Sequence, residues 1–466
     1  LNPQHTSTDL IIWVIFVSFI HFQINILYKK QRRNMIIYIN HTVQMNVGII
    51  GSGGREHAIC ERILYSNNVN NVYCFPGNAG TGKDAINIDF NGDFETLKNI
   101  CFDKNIRLLV VGPEQPLVNG VVDYFADTDI MVFGPNKIAS QLEGSKLFTK
   151  RLCETNNIPT AKYVVCTVNN IDAYVSQNST FPIVIKVDGL AAGKGVYVCN
   201  NSNESEIAVQ EIVSGKFGTC EEILIEEFLK GEEMSFFIIS DGETYRTFCT
   251  AQDHKRVLEG DKGKNTGGMG CYSPSRQINA TLEKKICKKI IEPTLTALRR
   301  DYCTNYVGFL YAGLMICENG EPYLIEYNVR MGDPECQTIM PRLKTDFLQL
   351  VHKCCTKELS TCALEFRDTK SLCTVLCAKG YPDEYKKNVE IDTNKVRLEK
   401  NQFIYHAGTK KTDEGIIVSN GGRVLNIVSL TDSFDESRKE VLEVLETIGW
   451  IDGYYRKDIG CRKPTI

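Results

Sequence analysis

An apolar, β-branched run that ends in lysine and turns at once into glycines, Ile183-Val184-Ile185-Lys186-Val187-Asp188-Gly189-Leu190-Ala191-Ala192-Gly193-Lys194-Gly195, constrains this chain more than any other stretch. The run from Phe181 to Val187 is too short for a typical helix and rich in Val and Ile, so it reads as a buried strand with Lys186 near its end. A buried ammonium needs a fixed anionic partner. Gly189, Gly193 and Gly195 then let the backbone approach phosphate oxygens, with N–H groups as donors and Lys194 as a point charge. No Ser or Thr follows that lysine, so the loop is not a Walker A motif.

A second short strand, Pro322-Tyr323-Leu324-Ile325-Glu326-Tyr327-Asn328-Val329-Arg330, is followed by Met331-Gly332-Asp333-Pro334-Glu335. Period-2 alternation puts Glu326, Asn328 and Arg330 on one face. A carboxylate and an amide oxygen are hard ligands for an Mg²⁺ that also touches phosphates, and an arginine there can grip phosphate or carboxylate bidentately. A solvated strand face is the competing reading. Between the two strands, Ile223-Leu224-Ile225-Glu226-Glu227-Phe228-Leu229-Lys230-Gly231-Glu232-Glu233 runs a strand into an acidic turn whose carboxylates suit an adenine amine and a ribose, or else only water.

With these segments in view, the chain resembles the ATP-grasp enzymes, and within them the phosphoribosylamine–glycine ligase family, from Met45 to about Lys463. The resemblance rests on Gly51-Ser52-Gly53-Gly54-Arg55-Glu56-His57, Pro76-Gly77-Asn78-Ala79-Gly80, Val111-Gly112-Pro113-Glu114 and Gln141-Leu142-Glu143-Gly144-Ser145-Lys146. It continues through Gln252-Asp253-His254-Lys255-Arg256, Asn265-Thr266-Gly267-Gly268-Met269-Gly270, Gly332-Asp333-Pro334-Glu335, His406-Ala407-Gly408-Thr409 and Tyr455-Arg456-Lys457-Asp458-Ile459-Gly460. One departure is Lys264, where the family usually has proline, which implies a looser loop.

The resemblance implies an α/β architecture: an ATP-grasp fold with an N-terminal doubly wound, Rossmann-like domain and a small C-terminal α/β domain. The expected divisions are residues 1–44 as an extension outside the fold, 45–147, a catalytic region 148–371 with a lid at about 168–235, and 372–466. It also implies ligation of glycine to 5-phosphoribosylamine with ATP and Mg²⁺ or Mn²⁺, through a glycyl phosphate, in purine synthesis. Lys146, Lys186, Gly189, Gly193, Lys194, Gly195, Glu226, Glu227, Phe228 and Glu233 would face ATP, and Glu326 and Asn328 the metal. Gly53, Gly54, Asn78, Pro113, Glu114, Asp253, His254, Lys255 and Asp333 would face the other substrates, with Arg330 and Lys186 at the reacting phosphate. No protein nucleophile is needed. Association with other purine-pathway enzymes is a further implication.

The residues themselves support parts of this. Val47-Gly48-Ile49-Ile50 entering Gly51-Ser52-Gly53-Gly54 reads as a strand, glycine turn and helix, the start of a doubly wound unit whose helix N-terminus suits phosphate. A dinucleotide fingerprint would want glycine where Glu56 stands, and the strand Asn71 to Phe75 ends without a ribose-binding acid, so an oxidoreductase is a poor reading. Leu108 to Val111 leads Glu114 to a strand's C-terminal end, and a helix starts near Phe148. In the tail, Thr374 to Leu376 is strand-like and Ser437 to Ile448 helix-like. That tail lacks clustered acid or metal ligands, so packing rather than catalysis is expected of it.

Length agrees, since 466 residues suggest about three domains. A net charge of −4 implies no polyanion partner and argues against nucleic-acid binding. The 19 cysteines are odd in number and form no C-x-x-C pair, so reduced, cytoplasmic thiols are the simpler reading, with Cys354, Cys355, Cys373 and Cys377 as core or surface thiols. Membrane contact is expected only if residues 10–28, apolar and followed by Lys29, Lys30, Arg32 and Arg33, form an anchor. Two rivals are another ATP-grasp ligase, which would lack the Asp253 to Arg256 and Tyr455 to Gly460 blocks, and a silent ATP binder, which should have lost Lys186, Glu326 or Asn328.

Overall fold

Val47 and Ile49 point to one side of the first strand and Ile50 to the other, and all three are buried, as in a parallel strand covered on both faces. The computed structural model describes residues 44–177, 180–190, 195–216 and 221–461. Strand β1 (Met45–Gly51) leads to helix α1 (Gly54–Leu64), then β2 (Val69–Pro76), β3 (Ile86–Asn87), α2 (Phe94–Asp103), β4 (Ile106–Val111) and β5 (Met131–Phe133). These strands form a parallel sheet ordered β3-β2-β1-β4-β5, the doubly wound unit expected. The order reverses between β1 and β4, so the turns after them, carrying Gly53 and Glu114, open on one crevice.

Helix α3 (Lys146–Thr155) starts at Ser145, whose hydroxyl accepts from the Phe148 N–H at 3.0 Å. A four-stranded antiparallel sheet follows from β6 (Tyr163–Cys166), β7 (Ile183–Val187), β8 (Val196–Cys199), helix α4 (Ser202–Val213) and β9 (Ile223–Glu227), ordered β6-β9-β7-β8. Ile183, Ile185 and Val187 of β7, Ile223 and Ile225 of β9, and Ala208, Val209 and Ile212 of α4 make a core of its own. Lys186 and Glu226 therefore share the opposite face.

The next strands are β10 (Gly231–Asp241), β11 (Tyr245–Asp253), the hairpin β12 (Arg256–Leu258) and β13 (Lys262–Asn265), β14 (Gly270–Ser273), β15 (Val307–Cys317) and β16 (Pro322–Asn328). After helix α5 (Phe347–Cys355) come β17 (Lys370–Ala378), β18 (Gln402–His406), β19 (Thr409–Lys411), β20 (Ile417–Ser419), β21 (Arg423–Thr431), helix α6 (Phe434–Ile448) and β22 (Gly453–Tyr454). One nine-stranded antiparallel sheet runs β16-β15-β10-β11-β14-β17-β21-β18, with β22 beside β17. Phe236 and Ile238 of β10 enter one large core and Phe237 and Ile239 the other, so this sheet too is covered on both faces.

Two expectations change. The lid sheet opens at Tyr163 and closes at Glu227, not at 168 and 235, because Gly231 onward pairs with β15. The tail forms the small C-terminal α/β domain expected, and because β14 hydrogen-bonds to β17 its strands also extend the catalytic sheet. The loop around Lys264 is no looser for lacking proline, since β13 pairs with β12 and Lys264 Nζ reaches Asp383 at 2.8 Å. Cys354, Cys373 and Cys377 are buried in the larger core. Among the described residues no helix is long and apolar enough to cross a membrane, and residues 10–28 lie outside them.

Candidate functional site

Lys186 ends on β7 with 4% exposure, and its Nζ lies 2.9 Å from Glu226 Oε2 on β9. Register explains the pairing: Lys186 sits opposite Leu224 and Val184 opposite Glu226, which makes the two charges diagonal neighbours on one face. Glu226 also carries Lys150 of α3, at 3.3 Å, so one buried carboxylate holds two ammonium groups. Glu226, expected to face ATP, is thus buried between Lys186 and Lys150. Glu227, by contrast, is exposed, accepting from the Lys162 N–H at 2.9 Å, and Phe228 is 41% exposed beside it.

Lys146 Nζ donates to the Gly189 carbonyl at 2.8 Å. Asp188 accepts from the Leu147 N–H at 3.1 Å and the Ser145 hydroxyl at 3.0 Å, pinning the turn after β7 onto the start of α3. Gly189 needs to be glycine there, since its φ is +93°. Gly195 closes the same loop by accepting from the Val187 N–H, while Gly193 and Lys194 lie outside the described residues.

Glu326 and Asn328 lie on one side of β16, while Leu324, Tyr327 and Val329 are buried in the core on the other. A bulge between Leu324 and Glu326 produces the three-residue step from Leu324 to Tyr327. Burial pushes the Glu326 carboxyl up, but Lys255, Lys186, Lys146 and Arg330 outweigh it and hold the group below the usual carboxylate range. Lys255 lies 3.7 Å from Glu326 and 3.1 Å from Glu233, which joins Glu233, expected to face ATP, to the same cluster. An ionised carboxylate and an amide oxygen two residues apart fit a hard cation whose other ligands come from phosphate and water. The surrounding cations fit a polyphosphate.

Arg330 lies just past β16 and is gripped from both sides. Its Nη2 donates to Glu143 at 2.6 Å and its Nε to Glu114 at 3.1 Å. Glu143, which sequence reasoning left without a role, also accepts from the Val329 N–H at 2.8 Å; burial pushes it up to about 7 against the pull of Arg330. Glu114 thus reaches the site through Arg330, from the N-terminus of the short helix that Pro113 caps.

A cavity of about 390 Å³ opens on the turns after β1 and β2 and is lined by Ser52, Gly53, Asn78, Asp333, Gly408 and Arg423 among others. The Gly53 N–H donates to Glu56 at 2.6 Å. Asn78 shapes the cavity rather than offering a free amide: its Nδ2 donates to the Ser52 and His406 carbonyls, both at 2.9 Å, and its Oδ1 accepts from the Gly80 N–H at 2.8 Å. Asp333 lies 3.4 Å from Arg423, and despite burial Arg423 and Arg55 hold it below the usual range. Arg423, Gly408 and Thr409 belong to the tail, so the tail supplies a wall of the cavity, contrary to the packing role expected of it. No local pattern announces Arg423, because its partners Gly267, Gly268 and Asp333 are remote in sequence.

Asp253 ends β11 with its carboxyl pushed well up by burial and by Glu335, another acid that the sequence did not single out; Glu335 accepts from the Ser235 hydroxyl at 3.2 Å. His254 turns instead toward Tyr272 and accepts from the Gly460 N–H at 3.4 Å.

His57 carries a titration that can be measured. Its Nδ1 accepts from the His406 N–H at 2.8 Å, a bond that protonation there would break. Desolvation, then Lys83, lower its pKa from 6.5 to about 4. An unfolded chain takes up the proton first, so stability is full above 6.5 and falls as pH drops toward 4, by up to about 3 kcal/mol. Urea titrations across that range should show the decline, and His57→Gln should make it shallower, leaving the share of His406, which burial and then His57 lower to about 3; an unchanged slope in the variant would remove His57 from it.

Family models match this chain in three consecutive stretches: the N domain of phosphoribosylglycinamide synthetase at residues 45–143, its ATP-grasp (A) domain at 144–336 and its C domain at 371–462. The phosphoribosylamine–glycine ligase of Haemophilus influenzae is 45% identical over 424 residues, covering 90% of this chain and 98% of its own. The crystal structure of phosphoribosylamine–glycine ligase from Thermotoga maritima superposes with a TM-score of 0.77 at 34% identity, over 89% of this chain and all (100%) of that one. The biotin carboxylase domain of Hydrogenobacter thermophilus 2-oxoglutarate carboxylase, solved with MgADP and bicarbonate, gives a TM-score of 0.66 at 16% identity, over 87% and 90% of the two chains, and shares the fold alone. With three domain models matched in order and relatives aligned nearly end to end, the chain belongs to the phosphoribosylamine–glycine ligase family of ATP-dependent, ATP-grasp ligases.

Proposed function

We propose that the chain joins glycine to 5-phosphoribosylamine at the expense of ATP, through a glycyl phosphate, giving glycinamide ribonucleotide, ADP and phosphate in cytoplasmic purine synthesis. The observation that carries this is the convergence of Lys146, Lys186, Lys255 and Arg330 on Glu326, between the glycine loop of the lid and the cavity at Gly53. A carboxylate oxygen of glycine attacks the γ-phosphorus, the bond to the bridging oxygen breaks, and ADP leaves. The amine nitrogen of phosphoribosylamine then attacks the acyl carbon, loses a proton, and phosphate departs.

In this reading Lys146 and Lys186 disperse phosphoryl charge, by position more than by covalent chemistry. Glu326 and Asn328 hold Mg²⁺ or Mn²⁺, which when bound neutralises phosphate charge. Arg330, steered by Glu114 and Glu143, meets the transferring phosphate or glycine's carboxylate. Glu227, Phe228 and Glu233 face the nucleoside, and Gly189 to Gly195 cover the triphosphate, where closure excludes water from an easily hydrolysed acyl phosphate. Gly53, Gly54 and Asn78 frame the phosphoribosyl group, with Pro113, Asp253, His254, Lys255 and Asp333 around the joining atoms.

The test is ADP release by the purified chain with ATP and Mg²⁺, adding glycine and fresh phosphoribosylamine separately and together. Release that needs both is the expected result; release with neither, or with another amine in place of phosphoribosylamine, overturns the assignment. A finer check is Gly54→Ala. A Cβ there would overlap the buried side chains of Asn426 and Gln337, and Gln337 holds Asp333 at 2.8 Å. The strain should cost about 1–3 kcal/mol and raise KM for phosphoribosylamine by roughly tenfold with KM for ATP unchanged, as read from initial rates.

A further inference from the structure

Helix α1 begins at the substrate-side cavity and ends, about 16 Å away, at a second one. This second cavity, of about 300 Å³, is lined by Arg62 from the last turn of α1, by Tyr65 and Ser66 just after it, and by Lys344, Asp346 and Arg367. Three cations thus face one carboxylate. That carboxylate is already engaged: Asp346 accepts from the Ser66 hydroxyl at 2.7 Å and from the Gln349 N–H at 3.0 Å, capping α5.

The cations are not so engaged. Arg62 Nη2 donates to the Leu343 carbonyl at 2.8 Å, but its Nε is buried with no hydrogen-bond partner among the described residues. A guanidinium N–H left unmade in a buried position is costly, and turning the Arg62 side chain toward an acceptor in the cavity would remove that cost. The side chains of Lys344 and Arg367 are exposed and make no ion pair among the described residues. Burial, and less strongly the charge of Arg367, press on the Arg62 guanidinium, which an anion would relieve. The carboxyl end of α1 faces this cavity and its dipole alone would repel an anion, so the charge here comes from side chains.

We propose that this cavity binds a phosphate group, either inorganic phosphate or the monoester of a small metabolite, held by the guanidinium groups of Arg62 and Arg367 and the ammonium of Lys344. Planar arginine forks and a lysine point charge are the donor set that phosphate dianions select. The exposed ring of Tyr65, 5.3 Å from the Arg62 guanidinium, offers a flat wall to an organic moiety attached to that phosphate. None of these residues belongs to the reacting cluster, so the proposal stands apart from the assignment of the ligase chemistry.

Equilibrium dialysis of the full chain against radiolabelled inorganic phosphate, and separately against ribose 5-phosphate, tests it. The comparison is the double substitution Lys344→Gln with Arg367→Gln, two exposed positions whose change leaves the fold and the basal turnover intact. The wild-type chain should bind one more equivalent than the variant, with at least a tenfold loss of affinity for that equivalent in the variant. An extra equivalent of ribose 5-phosphate bound more tightly than inorganic phosphate identifies a monoester site, and the reverse order a free-phosphate site. Equal binding of both probes by the two proteins overturns the proposal. Arg62→Gln, probed the same way, should also lose the equivalent, and its retention would equally refute the site.

Discussion

Replacing Glu326 by alanine is expected to lower kcat by at least roughly a thousandfold while the chain stays folded, because a bound divalent ion supplies several kcal/mol of charge stabilisation and each 1.4 kcal/mol or so is a factor of ten. The structural ground is the charge balance around this carboxylate. Lys255, Lys186, Lys146 and Arg330 keep it ionised in spite of burial, so it can act as a charged ligand. Glu326→Gln keeps the shape and loses the charge, and should be nearly as inactive. Initial rates over a range of Mg²⁺ concentration decide the matter. A variant with wild-type kcat and wild-type Mg²⁺ dependence would remove Glu326 from the metal site.

The second large effect is on stability. Glu226→Ala leaves Lys150 and Lys186 buried without the carboxylate they share, and breaking a buried pair in this way costs about 3–5 kcal/mol. Because Glu226 and Lys186 lie on neighbouring lid strands, the loss should be local first. Amide hydrogen exchange is expected to accelerate in β7 and β9 well before β10 or β15. KM for ATP should rise as well, since Lys186 would no longer be held. A direct nucleotide contact by Glu226 would also weaken ATP binding but would leave lid exchange unchanged, so the exchange measurement separates the two.

The strands were legible because their signal is local. Short apolar, β-branched runs at 47–50, 108–111 and 181–187, each followed by glycine or charge, match β1, β4 and β7 within a residue or two. The same-face pair Glu326 and Asn328 was legible for the same reason, and the helix expected to start near Phe148 starts at Lys146, capped by Ser145. What stayed hidden were relations set by register and by distant pairing. Nothing near Glu226 says that it faces Lys186, which depends on how β9 slides along β7. Nothing near Asn78 says that its amide is consumed by His406, which is brought in by β18. Glu143 sat inside a recognised block, yet its link to Arg330 exists only after the chain has folded. The tail misled by composition: it has no acid cluster, but one arginine, Arg423, placed by β21, suffices to wall the cavity.

The pairing of β14 with β17 bears on how this protein can be cut. A truncation near residue 371 looks reasonable from sequence, yet it would unzip a continuous ladder and leave the β17-facing backbone donors and acceptors of Gly270 to Ser273 without partners, with only β11 on the other edge. Such a stump presents an apolar sheet margin to other molecules, and self-association into insoluble material is the usual outcome. The lid fills its own small core, yet it is not a free module either, because Glu226 of β9 holds Lys150 of α3 and its removal would strand that buried ammonium.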